Sequence, residues 1–137
     1  MIGVVVITHG NLSEQLLETA SLIMGETTGV QAVTFTARES LEALRQKAIA
    51  AIDEYRADGC LILTDIMGGS ATNVCVELLK MEKVEVVTGV NLPMLLEAIG
   101  YRDDADLKTL AGKVQDSGIR SIINLKEFFE KRAARKK

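Results

Sequence analysis

Three short stretches carry residue types that can take up and pass on a small charged group. The first is "THG": His9, the one histidine among 137 residues, closes the apolar run VVVIT and is followed at once by Gly10. A free imidazole titrates near ~6.5, so at neutral pH one ring nitrogen keeps a lone pair and can act as a nucleophile. A packed structural histidine is the competing reading. The second stretch is CLILT followed by Asp65. A carboxylate there either caps a turn or accepts a hydrogen bond from one ring nitrogen of His9. That bond would fix the tautomer, present the other nitrogen and steady the cation formed when that nitrogen is modified. The third is Gly68, Gly69 and Ser70. Glycines leading into a helix leave backbone N–H groups at the positive end of its dipole, which suits an anion such as a phosphoryl group. Ser70 either adds a hydrogen bond to that anion or caps the helix, and tight turns of many kinds use paired glycines.

These stretches meet only if the chain brings them to one edge. β-rich runs at 2–7, 30–36, 59–64 and 84–88 alternate with segments of helical period, and a later run at 119–124 reads as a further strand. The first run is almost continuously apolar, as in a strand covered on both faces. Leu12, Leu16, Leu17, Ala20 and Ile23 make a helical stripe ending at Gly25. Thr36 and Glu39 have capping-box spacing before a second helix through Leu41, Leu44, Ala48, Ile52 and Tyr55. Further helices are expected near Ser70, just after Asn91 with Pro93 in the first turn, and from about Asp106 to Gly118. The fold class is therefore α/β: an open, mostly parallel sheet flanked by helices on both faces, in one domain over 1–137. In such sheets ligands bind beyond the carboxyl ends of the strands, where "THGN", "TDIMGGSATN" and "TGVNLP" all fall.

Composition narrows the chemistry. Hydrophobic residues make 47% and charged residues 26%, the balance of a globular chain. MIGVVVIT is too short to span a membrane and lacks a signal peptide's basic start, so a cytoplasmic location is expected. Cys60 and Cys75 read as buried free thiols. From residue 125 onward six Lys/Arg face two acidic residues, a basic terminal helix or tail of charge +4, leaving −7 on the rest of a chain whose net charge is −3. An acidic body argues against nucleic-acid binding. GxGxxG, Walker and GxSxG patterns are absent, and one histidine with scattered carboxylates does not make a transition-metal site. No metal or organic cofactor is expected.

"THGNLSEQLLETASLIMG", "GCLILTDIMGGSATNV" and "VEVVTGVNLPMLLEAI" together resemble the IIA component of the mannose family of the bacterial phosphoenolpyruvate-dependent sugar phosphotransferase system, over nearly the whole chain. The resemblance implies a phosphotransferase in which His9 takes a phosphoryl group from the carrier HPr and passes it to a IIB component for sugar uptake. Asp65 would orient the ring, and Gly68, Gly69 and Ser70 would hold the phosphoryl oxygens. It also implies an antiparallel last strand exchanged across a homodimer, which suits the run at 119–124. Met67 and Ala71 stand where the family often has phenylalanine and proline, a difference that touches partner choice more than chemistry. A docking patch around the site is expected to include Met67, Leu92, Pro93 and Met94. With no IIB segment following, the acceptor is expected to be a separate protein, in association with a membrane permease complex. A module that only reports the system's phosphorylation state, serving no permease, uses the same His9 chemistry and stays open.

Overall fold

The opening apolar run folds as β1 (Gly3–His9), with every residue but His9 buried. Alternate side chains of a strand point to opposite faces, and β1 feeds two cores in that way. Val4 and Val6 pack on one side with Ala20, Leu95, Ala98, Leu110 and Val114. Val5 and Ile7 pack on the other with Leu44, Ala48, Ile52, Val74 and Leu78. A computed structural model describes residues 1–66 and 68–135 of the chain.

The remaining elements follow in order: α1 (Leu12–Met24), β2 (Val30–Phe35), α2 (Leu41–Asp53), β3 (Cys60–Thr64), α3 (Gly69–Leu78), β4 (Val84–Val87), α4 (Leu92–Tyr101), α5 (Leu107–Arg120) and α6 (Leu125–Arg135). The four strands form one sheet in the order β2-β1-β3-β4, parallel at each pairing. Helices α1, α4 and α5 supply the first core and α2 and α3 the second, so the sheet is covered on both faces, as the alternating pattern requires. Among the described residues, no helix is long and apolar enough to cross a membrane.

Helix starts fall where short polar side chains take up orphan N–H groups. Asn91 accepts from the Met94 N–H at 3.0 Å and Asp106 from the Thr109 N–H at 2.8 Å. The cap of α2 is Ser40, which accepts from the Ala43 N–H at 3.1 Å. This displaces the expected Thr36–Glu39 box: Glu39 does reach back to the Thr36 N–H at 3.3 Å, but within the turn that precedes the helix.

Two expectations near the end of the chain are corrected. Gly118 does not end α5 but lies buried inside it, where an added Cβ would stand 2.6 Å from Met94 Cγ. The glycine is there so that α5 can approach α4 closely. Residues 119–124 form no strand in the single chain. Ile119 and Arg120 complete α5, the Ser121 N–H caps it on the Ser117 and Ile119 carbonyls, and the next residues lead directly into α6. A strand needs an edge to pair with, and among the described residues of this chain that segment pairs with none.

Candidate functional site

The site is built at the carboxyl edge of β1. Parallel pairing sets His9 opposite Phe35 of β2, while Ile7 pairs with Thr64 of β3, so Asp65 emerges on the other side of His9. The turn after His9 is held by its neighbours. Gly10, at φ 57°, donates its N–H to the Phe35 carbonyl at 2.8 Å. Asn11 opens α1 without a side-chain cap bond, and the buried Thr8 hydroxyl accepts the Ser13 N–H at 2.7 Å in its stead. Ser13 Oγ donates to the Val33 carbonyl at 3.2 Å, fastening α1 to the edge strand β2. Thr8 is the residue that sequence reasoning passed over here. Its signal was a polar residue at an otherwise apolar strand end, five positions before the N–H it receives.

Asp65 holds His9 twice. Its Oδ2 accepts the His9 backbone N–H at 3.0 Å and lies 2.9 Å from His9 Nδ1. Its Oδ1 accepts the Ile66 N–H at 3.0 Å. Burial alone would push this carboxyl up, but the hydrogen bonds from His9 and Ile66 outweigh it and hold it below the usual carboxylate range. With the carboxylate ionised, Nδ1 carries the ring proton and donates it to Oδ2. In the neutral ring that arrangement leaves the lone pair on Nε2. The Asp65 side chain is 16% exposed and that of His9 51%, so the carboxylate sits behind and the imidazole in front. On the far side Phe35 meets the imidazole edge to face, ring centres 5.9 Å apart at 65°.

The loop after β4 closes the cleft. The Val90 N–H donates to the Thr64 carbonyl at 2.8 Å, and Thr88 lines the cleft with His9, Asp65, Ile66 and Cys75. Burial, then the Asp65 charge, push the Cys75 thiol up, and burial pushes Cys60 to about 12, so both are poor nucleophiles. Among the described residues no three His, Cys, Asp or Glu side chains gather as metal ligands.

Of the other expected site residues, Gly68 is the N-cap of α3 at φ 121°, a conformation that favours glycine, and Gly69 and Ser70 begin its first turn. The side chain of Ser70 and the whole of Met67 lie outside the described residues. The docking patch needs correction at Met94, which is 3% exposed and packs in the first core. Leu92 and Pro93 are half-buried, Leu92 against that same core. Among the described residues, the exposed apolar side chain in the cleft wall is Ile66, beside Asp65, and Leu12 is exposed at the start of α1.

A family model described as "PTS system fructose IIA component" matches residues 3–115. The "PTS system mannose-specific EIIAB component" of Escherichia coli K12 is 36% identical over 129 residues, 88% of this chain and 39% of that protein. The chain thus spans well under half the length of that relative. The "PTS system fructose-specific EIIA component" of Bacillus subtilis is 30% identical, over 96% of this chain and 91% of that protein. Among solved structures, a phosphotransferase system component EIIA from Streptococcus agalactiae superimposes with a TM-score of 0.86 at 28% identity, covering 93% of this chain and 99% of that one.

Proposed function

The chain belongs to the fructose/mannose IIA family of the sugar phosphotransferase system, and from that premise we propose that it carries a phosphoryl group on Nε2 of His9, accepted from phospho-HPr and handed to a IIB component. The observation that carries the reading is the Asp65 carboxylate 2.9 Å from Nδ1, which leaves Nε2 as the nucleophilic nitrogen of an exposed ring.

Transfer is an in-line displacement. The Nε2 lone pair attacks phosphorus, the Nε2–P bond forms as the donor's N–P bond breaks, and the donor imidazole keeps that electron pair. Positioning and charge neutralisation supply the catalysis. His9 gains cationic character as its nitrogen is taken up, and Asp65 offsets it through the Nδ1–H bond. The amides of the first turn of α3, opened by Gly68 and Gly69, and the Ser70 hydroxyl would receive the phosphoryl oxygens. Handover to IIB reverses the same steps, because the N–P bond formed resembles the one broken. Ile66 and Leu12 would form the apolar part of the surface on which donor and acceptor settle, with Met67, Leu92 and Pro93 at its margin.

The reading extends to a cytoplasmic homodimer, associated through its acceptor with a membrane permease complex. The exposed Ile119, Ile122 and Ile123 and the unpaired outer edge of β4 support the dimer. Its test is direct. Mixed with phosphoenolpyruvate, enzyme I and HPr, the protein should acquire one acid-labile phosphoryl group, and His9→Ala should abolish it. Labelling of that variant at the wild-type level would overturn the assignment.

A further inference from the structure

We propose that Phe35 is a positioning residue that confines the His9 imidazole to the rotamer in which Nδ1 faces Asp65, so that Nε2 is the nitrogen presented for transfer. The inference rests on the phosphocarrier reading for its purpose. Three observations carry it. His9 and Phe35 are paired residues on neighbouring parallel strands, and such pairs project to the same face of a sheet. Their rings meet edge to face at 5.9 Å. The backbone of Phe35 is tied to the turn it serves, because its carbonyl accepts the Gly10 N–H at 2.8 Å.

Burial alone does not call for an aromatic ring there. Phe35 ends an edge strand and stays half-exposed, touching the second core with only part of its surface. What its ring does cover is the flank of His9 away from Asp65. An exposed imidazole held from one side by a single carboxylate can swing about χ1 or flip about χ2, and a flip puts the Cδ2 carbon where Nδ1 stood, so the bond to Asp65 that fixes the Nδ1–H tautomer is lost. A ring on the opposite flank removes room for both motions. Carboxylate and aromatic ring together make a two-sided clamp, one side electrostatic and the other steric.

The chain has one histidine, so its imidazole signals in NMR spectra belong to His9 without ambiguity. In the unmodified protein, 15N shifts should report the Nδ1–H tautomer, and cross-peaks should link the His9 and Phe35 ring protons. Lack of those cross-peaks in the wild type would by itself overturn the proposal. Phe35→Leu and Phe35→Met should shift the tautomer ratio toward Nε2–H by about 2- to 10-fold, the weight of one aromatic pair, while Phe35→Tyr should restore the wild-type ratio. In transfer from phospho-HPr the Leu and Met variants should lose about the same 2- to 10-fold in maximal rate with KM unchanged. An unchanged tautomer ratio, or a rise in KM alone, would reduce Phe35 to packing or docking. The NMR measurements need no phosphoryl donor. Loss of the phosphocarrier reading would thus appear as failed labelling of the wild type, separately from failure of the clamp.

Discussion

At the scale of single residues, the role proposed for Asp65 predicts an effect on transfer rate and on acid sensitivity alike. Asp65→Asn keeps the shape of the side chain but removes the charge that, in the proposed mechanism, offsets the modified imidazole. Its transfer rate should fall on the order of 10²-fold while the fold persists; equal rates would leave Asp65 a structural turn residue. The same substitution has a signature in stability. The carboxyl is held below its ordinary value in the folded protein, so the unfolded chain binds its proton first as pH falls. Its contribution is therefore fully present above ~3.9, the usual unfolded value, and is lost as pH drops through the lower folded value. The gap in urea midpoint between wild type and Asp65→Asn should be widest at neutral pH and narrow as pH falls below ~3.9. A gap independent of pH would mean that the hydrogen bonds to His9 and Ile66 do not depend on the charge.

At the scale of elements, legibility followed locality. β1 and β3 announced themselves as apolar runs because both their faces are buried, and the caps Asn91 and Asp106 could be read because a cap is a contact three residues long. His9 and Asp65 were legible as a pair through strand ends alone, since parallel pairing of neighbouring strands brings their carboxyl ends together. Phe35 and Thr8 were not, because their roles depend on register between strands and on a hydrogen bond that bypasses the formal N-cap. Gly118 misled for a related reason. Glycine ends many helices, but it also marks close approach, and only the packing of α5 on Met94 of α4 separates the two. Gly118→Ala should therefore destabilise by about 1–3 kcal/mol through overpacking, measured by chemical denaturation, although alanine favours helix elsewhere. Combined with Met94→Ala, the loss should be smaller than the sum of the two single losses, as expected for two side chains competing for one volume.

At the scale of the whole molecule, one group of uncovered apolar residues lies toward the end of the chain. Ile119, Ile122, Ile123, Leu125, Phe128 and Phe129 are all exposed, and no residue of α6 is buried. Beside them runs the outer edge of β4, which among the described residues pairs only with β3, and a groove there is lined by Val86, Val87, Thr88, Gly118, Ile119 and Ile122. Unpaired edges and clustered apolar side chains are what soluble chains ordinarily cover. A second copy whose segment 121–124 adds to β4 would satisfy both at once, giving the run at 119–124 the strand pairing it lacks in the single chain. The groove shares Thr88 with the His9 cleft, so such a dimer would also brace the loop that closes the site. Sedimentation equilibrium at micromolar concentration should return twice the 14.9 kDa of the chain. Ile122→Lys with Ile123→Lys should return the single chain, at a cost to its own fold within about 0.5 kcal/mol, because both side chains already face water there. A wild-type protein that sediments as a monomer, or a doubly substituted one that stays dimeric, would place the contact elsewhere.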